Sequence, residues 1–182
     1  MDGPKNKAIF LDRDGVVSHE KGYITNVDQL ELYPFSKPAV LKLKAAGWKT
    51  VVVTNQAGIA RGLMSEIDLQ IIHNRLMEML PVDNIYYCPH YPEGEANNPY
   101  SIRCDCRKPE AGLILKAARE NHIDLTQSYI IGDRATDILA GQRAGLTTVL
   151  VRTGYGASPL EQPAEPDLIF NDLGEFVEFL VG

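Results

Sequence analysis

Asp12 and Asp14 lie two residues apart at the end of the apolar run Ile9-Phe10-Leu11, with Arg13 between them and Gly15 after. Side chains at i and i+2 of an extended chain point the same way, so these carboxylates would share one side and repel each other. A divalent cation at a solvent-accessible strand end would make the pair tolerable. Magnesium takes hard oxygen ligands, typically a few carboxylates with water and a substrate phosphate. Asp12 and Asp133 are the natural side-chain ligands of that kind. A carboxylate beside a metal can attack phosphorus, and a second one can protonate the leaving oxygen and then deprotonate water. Thr54 offers a hydroxyl and Lys108 a fixed positive charge to the phosphoryl oxygens, whose stabilisation is most of what phosphoryl transfer requires. Asp137, one helical turn after Asp133, reads as a supporting or structural hydrogen-bonding group rather than a ligand.

A second cluster combines Cys-Pro-His (88–90) with Cys-Asp-Cys (104–106). Cys88, His90, Cys104 and Cys106 are four soft donors, as a closed tetrahedral zinc site requires. This assignment uses every cysteine in the chain and would order a long loop. With no open coordination position, the zinc would be structural and would place the next residues, Arg107 and Lys108. The other histidines, His19, His73 and His122, read as surface or partly packed.

The elements that must position these groups follow from periodicity. Short runs rich in Val, Ile, Thr and Tyr predict strands over 8–11, 48–54, 84–88, 128–132, 147–151 and 167–170. Helical patterns fall between them at 37–46, 66–80, 110–121 and 135–144, and at 173–180 after the last. Val40, Leu41 and Leu43 mark the first helix, and Ile67, Ile71, Met77 and Leu80 are apolar positions of the second. Ser65 is the expected N-cap of the second helix and Pro109 the first-turn residue of the third; Gly47 and Gly145 act as stops. The alternation predicts an α/β fold, a Rossmann-like parallel sheet with helices on both faces. Residues 16–34 and 88–108 remain as two long functional loops. A single domain over 1–182 is expected, with a zinc-binding loop insertion and no large cap domain. In such a sheet ligands bind beyond the carboxyl ends of the strands, where the polar clusters 12–15, 54–62, 107–109 and 132–137 all fall. Taken singly, each is compatible with a solvated strand end, a helix cap or a surface lysine. Four together at strand ends favour the functional reading.

Composition sets the outer bounds. The 182 residues are 45% hydrophobic and 23% charged, with a net charge of -6, as for one globular domain with a full core. That acidic balance argues against a general nucleic-acid or anionic-membrane binder. No apolar run approaches the roughly 20 residues of a membrane span. The start, MDGPKNKAIFLDRDG, is too short in apolar residues for a secretory signal and lacks a glycine at position 2. A cytoplasmic location and a monomer are the expectations.

The ordered set Asp-x-Asp-Gly (12–15), Thr-Asn (54–55), Arg-Lys-Pro (107–109) and Gly-Asp-x-x-x-Asp (132–137) resembles the haloacid dehalogenase superfamily of phosphohydrolases over residues 8 to about 153. The resemblance implies Asp12 as nucleophile, Asp14 as general acid/base, and the Asp14 carbonyl, Asp12 and Asp133 around magnesium. It implies that Thr54 and Lys108 hold the transferring phosphoryl group. The zinc loop before Arg107-Lys108-Pro109 is similar to a subgroup holding heptose 1,7-bisphosphate phosphatases and histidinol-phosphate phosphatases. Gly22-Tyr23-Ile24, the full tail of TNQAGIARG and the long spacer of the zinc loop lean toward a heptose bisphosphate. GDRATDI (132–138) leans toward histidinol phosphate. On the heptose reading Glu20, Lys21, Gly22, Tyr23, Asn55, Gln56, Ala57, Arg107 and Arg134 contact substrate along with Thr54. Rivals from other classes are a phosphoacceptor receiver domain, whose aspartate would follow a later strand, and a non-catalytic zinc module.

Overall fold

The structure, a computed structural model, describes residues 5–182; residues 1–4, on which the reading of the chain start partly rests, lie outside the described residues. Six parallel strands form one sheet: β1 (Ala8–Leu11), β2 (Lys49–Asn55), β3 (Asn84–Cys88), β4 (Tyr129–Gly132), β5 (Thr147–Val151) and β6 (Leu168–Phe170), in the order β3-β2-β1-β4-β5-β6. Parallel strands need crossovers, supplied by α1 (Ser36–Ala45), α2 (Glu66–Met79), α3 (Gly112–Glu120) and α4 (Ala135–Ala144); α5 (Leu173–Val181) closes the chain.

Alternation along each strand decides which layer a residue enters. Ile9 and Leu11 pack with Val40, Leu43, Ile72, Leu76 and Phe176, which belong to α1, α2 and α5. Ala8 and Phe10 pack on the other face with Leu113, Ile114 and Ala117 of α3 and Ala140 of α4. Both faces of β1 are therefore covered, and all four of its residues are buried. That is why the strand reads as a continuous apolar run. The chain runs outward from β1 through β2 to β3 and then crosses back to β4 on the other side of β1, so the carboxyl ends of β1 and β4 form the topological switch point where such sheets bind ligands.

Local signals account for most boundaries. Ser65 caps α2 through the Asp68 amide, and Asp68 returns a bond to the Ser65 amide. Gly145 ends α4 at φ +78, a left-handed conformation that costs a glycine nothing. One expectation needs correction. The third helix begins at Gly112, not just after Pro109, because the chain first folds back on the cysteine loop: Glu110 N donates to Arg107 O (2.8 Å) and Gly112 N to Asp105 O (2.9 Å). Of the apolar helix positions, Leu41, Ile67, Ile71 and Met77 face outward, while Leu69, Ile72, His73 and Leu76 of α2, with Leu80 just after it, reach the core.

The 16–34 loop is ordered without being regular. Val16, Val17, Ile24 and Leu30 are buried in the core, and Ser18 bridges to both Asp14 and Leu32. Between β1 and α1, and between β3 and α3, the described residues hold only these loops, with no inserted cap domain.

Candidate active site

Asp12 and Asp133 leave the ends of the adjacent strands β1 and β4, and Asp12 N donates to Ile131 O (3.0 Å) across them. Beyond Asp12 the chain turns at Gly15, whose φ of +81 and close approach to Asp133 (a Cβ there would lie 2.1 Å from Oδ2) both demand glycine. Asp133 Oδ2 accepts from the Tyr155 amide (2.8 Å), while its Oδ1 is buried without a hydrogen-bond partner. Oxygens of Asp12, Asp133 and Asp137 lie within 4.8 Å of one another. A buried, unpartnered carboxylate oxygen within such a group fits a hard divalent cation.

Lys108 is the cation already present among these acids. Its side chain is 1% exposed, with Nζ 2.5 Å from Asp137 Oδ1 and 3.1 Å from Asp12 Oδ1, and it donates to Val53 O at 2.8 Å. Asn55 fixes the lysine's backbone in both directions: Lys108 N donates to Asn55 Oδ1 (3.1 Å) and Asn55 Nδ2 to Lys108 O (3.0 Å). Burial alone would lower the lysine's affinity for its proton, but Asp12 and Asp137 outweigh it and hold the ammonium above its ordinary range. Burial pushes the Asp12 carboxyl up to about 7, against the pull of Lys108 and with the help of Asp137 and Asp14. Burial and the same crowding by Asp137 and Asp12 push Asp133 up to about 8. One lysine is too little positive charge for this cluster, and a bound cation would reverse the shifts.

Asp14 is held apart from that cluster. The fully buried Arg13 grips it with two bonds, Nε to Oδ1 (2.9 Å) and Nη2 to Oδ2 (2.7 Å). Gln56 Nε2 donates to Asp14 Oδ2 (3.2 Å) and to the Thr54 hydroxyl (3.0 Å). Behind Arg13 lies His73, whose ring burial and the guanidinium together depress to about 3. It is buried, rather than at the surface. Asp12 Oδ1 accepts from Arg13 N (2.7 Å), and Oδ2 makes no hydrogen bond among the described residues.

An open cleft of about 290 Å³ lies over these groups. Asp12, Asp14, Thr54 and Lys108 form its floor; Glu20, Gly22, Tyr23, Asn55, Gln56, Ala57, Arg107 and Arg134 line it as well. Lys21 does not, because its ammonium turns to Glu31 (2.9 Å). Sequence reasoning missed Arg61, Tyr91, Thr136 and Tyr155, which also face the cleft. Arg61 lies within the 54–62 cluster and Thr136 within 132–137, and Tyr91 directly follows Cys-Pro-His, so their position was the available signal; Tyr155 carried none.

At the cleft's rim the cysteine loop closes on itself. The Cys106 sulfur lies 3.1 Å from Cys88 and 3.2 Å from Cys104, and His90 Nδ1 lies 3.4 Å from Cys106. These separations exceed a disulfide's S–S bond of about 2.05 Å, and four soft donors converging on one point fit a tetrahedral zinc ion. Arg107 Nη1 donates to His90 O (3.1 Å), which ties the loop to the cleft wall.

Comparison with known proteins agrees with this geometry. A HAD-hydrolase-like family profile matches residues 105–176. A Haemophilus ducreyi protein named D-glycero-beta-D-manno-heptose-1,7-bisphosphate 7-phosphatase is 41% identical, over 96% of this chain and 98% of its own. The Escherichia coli K12 protein of the same name is 40% identical over 92% and 90%. The chain belongs to this phosphatase family. Among solved structures, D,D-heptose 1,7-bisphosphate phosphatase from B. bronchiseptica, complexed with magnesium and phosphate, superposes with a TM-score of 0.84 at 35% identity, covering 96% of this chain and 97% of that one. The haloacid dehalogenase fold and the phosphoric monoester hydrolase class follow. The lean toward histidinol phosphate finds no support among these relatives.

Proposed function

We propose that this chain is a magnesium-dependent phosphatase that removes the 7-phosphate of D-glycero-D-manno-heptose 1,7-bisphosphate through an aspartyl-phosphate on Asp12. The observation that carries the reading is the convergence of Asp12, Asp14, Thr54, Lys108 and Asp133 at the switch point, under a cleft open enough for a sugar phosphate. Asp12, Asp133 and the Asp14 carbonyl would hold magnesium, which supplies charge neutralisation of the phosphoryl oxygens.

The chain's own groups do the rest. An oxygen of Asp12 bonds to phosphorus as the bond from phosphorus to the C7 oxygen breaks, and Asp14 gives that oxygen its proton. Asp14 then removes a proton from water, which attacks the aspartyl-phosphate, frees inorganic phosphate and restores Asp12. Lys108, anchored by Asp137, and the Thr54 hydroxyl stabilise the oxygens in transit. Cys88, His90, Cys104 and Cys106 would bind a structural zinc that fixes Arg107 and Lys108. Residues 1–182 would act as one hydrolase domain, as a monomer.

The test is phosphate release from the bisphosphate with magnesium. Asp12→Asn should abolish turnover while the circular dichroism spectrum stays unchanged. Near-normal rates would remove Asp12 as the nucleophile.

A further inference from the structure

Charge is unevenly distributed within the cleft. At the reacting end Asp12, Asp14, Asp133 and Asp137 face only Lys108 and Arg13. Among the other lining residues, Arg61, Arg107 and Arg134 are opposed only by Glu20, whose carboxyl is itself raised by burial and by Asp14. The cationic part therefore has room for about two negative charges, those of a phosphate monoester.

Arg61 is the arginine to which no role has been given. Its guanidinium lies over the Tyr91 ring at 4.5 Å and near Tyr23 at 5.8 Å. Arg107 lies over the same Tyr91 ring at 4.8 Å. Two guanidiniums thus share one tyrosine, yet no carboxylate pairs with either and the Arg61 side chain makes no hydrogen bond among the described residues. Arg61 is exposed and Arg107 half-buried, and both line the cleft, so a ligand there can reach them, and a guanidinium's fork of donors matches a phosphate. The stacking also holds three separate segments, the 16–34 loop, the 55–65 turn and the cysteine loop, around one point.

We propose that Arg61 is a specificity-determining residue that, together with Arg107, grips the phosphate that is not cleaved. This rests on the bisphosphate reading above. The test compares heptose 1,7-bisphosphate with heptose 7-phosphate, which lacks the anomeric phosphate, in wild type, Arg61→Ala and Arg61→Lys. Loss of a charge-assisted hydrogen bond should raise KM for the bisphosphate at least tenfold in Arg61→Ala, with kcat within about twofold and KM for the monophosphate unchanged. Arg61→Lys should recover part of the loss.

An equal rise in KM for both sugars would overturn the proposal in favour of a role in shaping the loop, and so would an unchanged preference. If wild type cleaves neither sugar, the substrate reading fails by itself and inorganic phosphate becomes the probe. By phosphorus NMR titration, loss of one of two bound phosphates in Arg61→Ala would then uphold the role of Arg61. Identical titrations would overturn it.

Discussion

Lys108→Met tests whether the lysine is the countercharge that makes the acidic floor foldable. Methionine keeps the apolar stem but withdraws the ammonium from Asp137 at 2.5 Å and Asp12 at 3.1 Å. The Asp137 side chain has no exposure and that of Asp12 only 12%, so water cannot replace the lost partner. Breaking a buried pair from one side costs about 3–5 kcal/mol, a large part of a native stability of about 5–15 kcal/mol. With a urea slope of about 2.5 kcal/mol per M, the unfolding midpoint should fall by about 1.2–2 M. Adding Asp137→Asn removes one of the two stranded charges, so the double variant should regain at least about 1 kcal/mol over the single. Magnesium should stabilise Lys108→Met more than wild type, since it becomes the remaining cation for the floor. A loss below about 1 kcal/mol, or a double variant weaker than the single, would refute the reasoning. Turnover should fall by at least a hundredfold, as for other lost oxyanion donors.

Three further outcomes are expected. Metal analysis of protein purified without chelators should find about one zinc per chain, and Cys106→Ser should reduce it; protein free of zinc would remove the tetrahedral site. Metal-free protein should lose stability progressively from about pH 4, near the ordinary carboxyl value, to about pH 8. Asp12 and Asp133 carry raised values of about 7 and 8, so the folded state binds more protons than the unfolded one, and that advantage disappears as pH rises through them. Magnesium at pH 8 should restore the stability, and urea melts that instead show metal-free stability increasing across this range would contradict the assignment. Gly154→Ala should weaken magnesium binding measured by calorimetry, because Gly154 has φ +56 and a Cβ there would meet Asp133 Oδ2 at 2.2 Å; unchanged affinity would show that Asp133 is not held by that turn.

The sheet was legible because its strands are short apolar runs, with β1, β2, β4 and β5 largely buried, so strand ends and clusters such as 12–15 and 132–137 could be read together. The helix faces were less legible. Ile67 and Ile71 look like core residues, yet the α2 stripe that packs runs through Leu69, Ile72 and Leu76 and admits His73. Nothing local reveals that a histidine will be buried behind Arg13, since the reason lies sixty residues away. Separations of about thirty residues likewise hide the pairing of Asp137 with Lys108 and the stacking of Arg61 on Tyr91. Long-range charge partners depend on the fold, whereas metal-type donors and strand-end acids announce themselves by residue type.

The most direct test of the account is magnesium-dependent phosphate release from both anomers of heptose 1,7-bisphosphate, measured beside histidinol phosphate. The account predicts that a heptose anomer is cleaved with a kcat/KM at least a hundredfold above that of histidinol phosphate. Preference for histidinol phosphate would contradict it.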